Sequence, residues 1–474
     1  MSLRLTCGID IGSTNVKVLL IDDEARTRWS RSIPVPRVEQ DGRPSTDAGS
    51  LVRTIEQLII EGWRATGSTD PIAAISSTGV GEDGLPVGAD LQPLDLALPW
   101  FDRRAEDDAR WLRSHLDQQV RAGVPLDGTR TAAKWHWLRQ HRPEVMTRAA
   151  TWIALTDYPL AWWTRSPFMS MTLAARTGCY DVFERCWLPS HLEMTGAPAL
   201  PPVVPAGTVI GNVVRGPLLD SGAASTSTRV VSGGHDHPIA ASVVRRIDPD
   251  AWVDSLGTAN LVYGEAVAIE PRTDPYVAFS VPALGNPGIA CLGVFEFSAA
   301  LEPLRARDQG VALKEFLASQ EAPGHPGSIS AILRSLERAL GMAPAGEAFP
   351  PELDTRTVLE ASCFYARRTL ACARSVGPEG NRLYAVGGWA RSKALLQLRA
   401  SVLGEALHTI DEAELTALGA ALIALTASDP GRRDSVQRAT SVVFPHKDWE
   451  SRYEAMYSEL LRLFEGWERV RCAN

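Results

Sequence analysis

Gly8-Ile9-Asp10-Ile11-Gly12-Ser13-Thr14-Asn15-Val16-Lys17-Val18-Leu19-Leu20-Ile21-Asp22 is the stretch from which the rest of the chain can be read. An apolar run from Leu5 to Ile11 breaks at Gly-Ser-Thr-Asn and resumes from Val16 to Ile21, the pattern of a buried hairpin. The loop therefore joins two strands, whereas the glycines of a Walker or Rossmann loop open a helix. Gly12 permits close backbone approach. Ser13, Thr14 and neighbouring N–H groups can donate to phosphate oxygens, Lys17 adds positive charge, and Asp10 is placed to hold a cation through water. An ordinary hairpin turn has the same composition, so this stretch needs support from elsewhere in the chain.

A partial echo supplies it. Trp252 to Tyr263 repeats the outline of apolar strand, Asp254, Gly257-Thr258 turn, Asn260 and apolar strand. Two phosphate-type hairpins half a chain apart point to two similar domains facing each other across a cleft. Between them, the β-branched run Val230-Val231 leads to Gly233-Gly234-His235-Asp236-His237. Farther on, Leu383 to Val386 ends in Gly387-Gly388, and a helical pattern follows. The order of these four elements carries more information than any one of them.

With Pro99 to Arg104, Thr131 to His141 and Thr156-Asp157-Tyr158 added, the chain resembles the FGGY carbohydrate kinases, the xylulokinase and glycerol kinase group, over nearly its whole length. The resemblance implies an α/β fold of two actin-like, ribonuclease-H-like domains with a cleft between them. Residues 1–245 would bind sugar and carry the catalytic base, and residues 246–474 would bind nucleotide, with the crossing near Arg245 to Pro249. It implies ATP and Mg²⁺ as cofactors, a small sugar or polyol as partner, and a possible homodimer. Two other classes remain open: a non-catalytic sugar sensor on a kinase scaffold, and an ATPase of the same superfold.

Asp236 is the expected catalytic base: a carboxylate leaving a strand over two glycines is free to orient a hydroxyl and accept its proton. His235 and His237 flank it. With no third ligand in sequence, hydrogen-bonding roles are favoured over a zinc site, and His237 is expected to touch sugar. Glu82 and Asp83 follow the strand Ile72 to Thr78 at a position where relatives carry Met-His or Arg-Glu; this chain has neither pair. Carboxylates there suit sugar hydroxyls, and a solvated turn is the alternative. Trp100, Asp102 and Asp157 complete the expected substrate contacts, although for Trp100 a core position is the ordinary expectation. Lys134 lies in a family-like segment and is equally readable as structural. The expected nucleotide contacts are Gly12, Ser13, Thr14, Lys17, Gly257, Thr258, Gly387, Gly388 and Trp389, with Asp10 in the outer shell of the metal. Asp254 reads as structural.

Composition bounds the remaining classes. A chain of 474 residues with 45% hydrophobic content can bury two cores. A net charge of −8 with no basic stripe argues against nucleic acid as a partner. Seven cysteines without Cys-x-x-Cys spacing suggest neither a disulfide framework nor zinc. No signal-type apolar segment is evident, and no apolar run approaches the ~20 residues that span a bilayer. A protein of the cytoplasm, without membrane association, is expected.

Overall fold

The computed structural model describes residues 3–117, 119–256, 260–274, 276–295, 309–339, 353–377, 380, 382–412, 414–429 and 438–473. The expected phosphate-binding residues Gly257 and Thr258, and the loop expected over residues 343–351, lie outside them.

The opening stretch forms the antiparallel hairpin that its pattern predicts. Strand β1 (Leu5–Ile11) is buried on both faces, and β2 (Asn15–Asp22) pairs with it so that Asp10 faces Lys17 across the ladder. Strand β3 (Thr27–Pro34) extends the meander on one side. On the other side, β4 (Ala74–Gly79) runs parallel to β1, and β6 (Arg229–His235) runs parallel to β4. The antiparallel β5 (Val209–Asn212) closes that edge, giving the order β5-β6-β4-β1-β2-β3.

The second sheet repeats the plan. Strands β7 (Trp252–Ser255), β8 (Asn260–Ala266) and β10 (Ile289–Phe295) form the meander, with β9 (Ala278–Ser280) outside β10. Strands β11 (Leu383–Val386) and β12 (Leu407–Ile410) add parallel to β7, and the antiparallel β13 (Thr440–Val443) forms the far edge. The echo of the two hairpins in sequence is thus a repeat of two sheets.

Helices cover both sheets. Helix α1 (Ala48–Ala65) begins where Asp47 accepts hydrogen bonds from the N–H groups of Gly49 and Ser50, at 2.9 and 3.2 Å. It buries Leu51, Ile55, Leu58 and Ile59 on the first sheet, each such side chain contributing roughly 1.5–3 kcal/mol. In the second half, α4 (Thr355–Val376) and α5 (Lys393–Leu403) pack together. Beneath them Asp254 is sealed in a two-pronged ion pair with Arg399, at 2.7 and 2.8 Å, so its part is structural. The aromatic face of the final helix α7 (Lys447–Ala473) turns inward: Tyr453 and Phe464 are buried, and the Tyr453 hydroxyl donates to Glu360 at 2.5 Å. Among the described residues, no helix is long and apolar enough to cross a membrane.

Two helices join the halves. Helix α3 (Asp236–Ile247) leaves the end of β6 and packs against β7 and β8 of the second sheet. Helix α6 (Leu415–Ser428), entered from β12, crosses the other way and lies on β1, β4 and β6. A shared apolar cluster results, with Leu19 and Ile21 from β2, Val243 and Val244 from α3, Val253 from β7, and Leu418 and Leu422 from α6.

The crossing depends on missing side chains. A Cβ on Gly8 would lie 2.0 Å from the Ala417 carbonyl oxygen, and one on Gly419 would lie 2.6 Å from the Ile239 carbonyl oxygen. Overpacking of this kind costs about 1–3 kcal/mol. Gly8→Ala is expected to lower unfolding stability by that amount, read as a lower urea midpoint at unchanged slope; an unchanged midpoint would mean that α6 does not rest on β1 as described.

Candidate active site

Three parallel strands end in register: Ile11 of β1 and His235 of β6 both stand beside Gly79 of β4. The residues that follow each strand therefore gather at one sheet edge, where open α/β folds take ligands. They are the Gly12–Asn15 loop, Val80 to Asp83, and Asp236 with His237.

The paired glycines of β6 are required by close approach. A Cβ on Gly233 would meet the Ser77 carbonyl oxygen at 1.9 Å, and Gly234 has φ +152° and lies against Thr172 Oγ1. The register shifts between Val231 and Gly234, and the chain then turns directly into α3 with Asp236 as its first residue. A carboxylate there lies at the positive end of the helix dipole. The Asp236 contacts converge on one oxygen. Oδ1 accepts the His237 N–H at 2.7 Å and lies 3.3 Å from His235 Nε2 and 3.7 Å from His237 Nε2. Among the described residues, no hydrogen bond or ion pair reaches Oδ2.

Asp10 is nearby. Burial raises its pKa to about 7, with Asp236 and Glu414 adding to the rise and Lys17 opposing it. Lys17 Nζ sits 3.7 Å from Asp10 and 2.9 Å from Glu414, the residue before α6. A carboxylate so placed suits an outer-shell position near a cation, whose charge would stabilise the ionised form.

Glu82 uses one oxygen in the same way. Its Oε1 accepts from Arg130 Nη1 and from Nε and Nη2 of Arg176, the latter at 2.8 and 2.6 Å, and among the described residues no such contact reaches Oε2. Burial alone would raise its pKa, but the two arginines outweigh burial and hold the carboxyl well below its usual range. The neighbouring Asp83 is different: burial pushes it up to about 6 against the pull of Lys134 and Arg37. Its Oδ1 accepts the Trp100 N–H at 2.5 Å, so it holds the Trp100 backbone. Lys134, on helix α2 (Thr131–His141), is fully buried, donating to the carbonyls of Glu82 and Leu98 at 2.9 and 3.1 Å.

Two expected substrate contacts have both carboxylate oxygens held by protein groups. Asp157 has no exposed surface and accepts both the N–H and the hydroxyl of Ser170, at 2.7 and 2.6 Å. Asp102 is buried and tied to Arg104 through Oδ1 and Oδ2, both at 2.8 Å, with Arg43 at 3.3 Å. Trp100 itself is half-buried and meets Phe101 edge-on.

On the second sheet, Gly387 has φ +93° and a Cβ there would lie 2.5 Å from the Leu256 carbonyl oxygen. At Gly388 a Cβ would meet nothing within 4 Å, so this strand end opens onto free space. The Trp389 N–H donates to the Leu256 carbonyl, and its ring is half-buried. Ala390 and Arg391 border a cavity of about 1220 Å³ that also takes in Thr409, Asp411 and Glu412. That cavity does not reach Asp236.

Arg130, Arg176, Arg37 and Glu414 escaped the sequence reading. Arg37 donates to the Ser13 carbonyl at 2.8 Å and to Thr46, and lies over the Phe101 ring. None belongs to a local pattern, so pairing across the fold is what identifies them.

Comparisons with known proteins define the class as that of the carbohydrate kinases. The N-terminal domain model of the FGGY family of carbohydrate kinases matches residues 5–242, and the C-terminal domain model matches residues 311–428. Xylulose kinase of Staphylococcus epidermidis is 22% identical over 90% of this chain and 88% of its own length. Gluconokinase of Bacillus subtilis is 22% identical over 92% and 90%. The structure of ligand-bound xylulose kinase from Lactobacillus acidophilus superposes with a TM-score of 0.79 at 20% identity, covering 98% of each chain. The chain belongs to the FGGY family of carbohydrate kinases, and its fold is the two-domain actin-like one.

The buried Asp157 yields a test by pH. Its pKa is raised to about 7 in the folded protein against an ordinary value of 3.8, burial outweighing the Ser170 hydrogen bonds. The folded state therefore holds this proton more tightly, and the associated stability is lost as pH rises from about 4 to about 7. Asp157→Asn is expected to gain on the wild type across that window, with the difference levelling off above it, while the KM for sugar is unchanged. A constant stability difference from pH 4 to 8 would contradict this placement.

Proposed function

We propose that this kinase transfers the γ-phosphoryl group of MgATP to a hydroxyl of a small neutral acceptor, a ketose such as a pentulose or a polyol. The observation that carries the reading is the position of Asp236, at the sheet edge beside Asp10 and on the helix that leads to the second half. Residues 1–245 would hold the sugar and residues 246–474 most of the nucleotide.

Glu82 Oε2 is available to accept a sugar hydroxyl, and Trp100 and His237 would make further sugar contacts. Asp236 Oδ2 orients the reacting hydroxyl and takes its proton. Backbone donors of Gly12, Ser13 and Thr14, with Lys17, would meet phosphate oxygens, as would Gly257 and Thr258. Gly387, Gly388 and Trp389 would leave room for the nucleoside, and Asp10 would help to hold Mg²⁺, which supplies charge neutralisation when bound. Bound MgATP supplies the phosphoryl group and the charge neutralisation; the acceptor oxygen bonds to phosphorus as the bond to the ADP oxygen breaks. Closure of the halves would exclude water as a competing acceptor.

A coupled ADP-release screen with D-xylulose, L-fuculose, D-gluconate and glycerol tests the reading. Sugar-stimulated turnover is expected with at least one neutral acceptor, and Asp236→Asn should lower it about 10²–10⁴-fold in a folded protein. Near wild-type turnover in that variant would defeat the assignment.

A further inference from the structure

The two histidines beside Asp236 are not equivalent. His237 is partly open, whereas His235 is almost fully buried, its backbone N–H donating to Thr172 Oγ1 at 2.9 Å. Its ring is wedged against Gly81, where a Cβ would come within 2.9 Å of Cδ2 and 3.2 Å of Nε2. The charged and titratable groups facing it are Asp236, Arg176, His237 and Glu82. Burial pushes its pKa down to about 4, with Asp236 opposing and Arg176 and His237 assisting, so the ring is neutral near pH 7.

A neutral imidazole has one N–H, and the partners select which nitrogen carries it. Nδ1 is sealed and has no hydrogen-bond partner among the described residues, while Nε2 lies 3.3 Å from the Asp236 carboxylate. The proton therefore belongs on Nε2. The pair stands at 3.3 Å in the structure, and catalytic contacts of this kind tighten when substrate binds. Both ring Nε2 atoms lie within 3.7 Å of Oδ1, to which the His237 N–H donates, and among the described residues no group of three or more His, Cys, Asp or Glu is placed to hold a metal ion.

From this geometry, and resting on the assignment of Asp236 as the base, we infer that His235 is the positioning residue of the reaction: its Nε2–H fixes Asp236 through Oδ1 and leaves Oδ2 as the atom that receives the acceptor's proton. In that step the acceptor O–H bond breaks and an Oδ2–H bond forms, the freed electron pair on the acceptor oxygen makes the new bond to phosphorus, and the bond from phosphorus to the ADP oxygen breaks with its electron pair leaving on ADP. His235 keeps its own proton throughout.

The test replaces His235 by Gln, whose amide nitrogen can stand near the place of Nε2, by Asn, which is too short, and by Leu. Turnover is followed by coupled ADP release with whichever sugar of the screen is active. Loss of positioning is expected to lower kcat about 10²-fold in the Leu and Asn variants with the KM for ATP unchanged, and Gln should restore kcat to within about tenfold of wild type. In an Asp236→Asn background, His235→Leu should cost nothing further, because a residue that acts through another has no separate effect. If Leu prevents folding, the contrast between Gln and Asn carries the test. Unchanged kcat in a folded Leu or Asn variant, Gln no better than Asn, or additive losses in the double variant would each overturn the inference. Only retained turnover in Asp236→Asn alone would overturn the reading beneath it.

Discussion

The structure depends on the contact of a helix backbone with a strand that has no side chain at the point of touch. At Gly8 the first sheet admits the α6 backbone, and at Gly419 α6 in turn admits α3. Close packing transmits position because neither surface can yield without strain or a void. The two crossing helices thus set the halves against each other, and both start at functional ground: α3 at Asp236, and α6 just after Glu414, which grips Lys17 of the opening hairpin. A change in the crossing would alter the distance between the carboxylates and the second sheet together.

The site also shows how neighbours divide the duties of similar groups. Glu82 and Asp83 are adjacent in sequence and both buried, yet two arginines keep the first ionised while burial raises the second. A buried charge is costly unless paired, and removing one partner of such a pair is more damaging than never having had it. Arg130 and Arg176 therefore do more than neutralise Glu82: by occupying one oxygen they fix the direction of the other. Asp236 is arranged on the same principle, with donors gathered on Oδ1. Asp102 and Asp157, in contrast, have both oxygens engaged and brace the surrounding loops.

Much of the fold was legible because it rests on local chemistry. Alternating and continuous apolar runs mark strands, Asp47 marks a helix start, and the segment Thr355 to Val376 is helical by spacing alone. The glycine pairs were legible for a related reason, since only a missing side chain tolerates the approach seen at Gly233, Gly234 and Gly387. The acidic residues were less so. Carboxylates on turns after strands look alike in sequence, whether they face a ligand or a serine hydroxyl.

By itself, the amino-acid sequence determined the family, the repeated hairpins, the element order, and the placing of Asp10, Glu82 and Asp236 just before or after strand ends. Only the tertiary structure decided which carboxylates have an oxygen to spare. The physical reason is distance along the chain: Arg130 and Arg176 reach Glu82 from 48 and 94 residues away, and Ser170 reaches Asp157 from 13. Hydrogen bonds are directional and short, so the role of each side chain is settled by partners that folding alone brings within 3 Å.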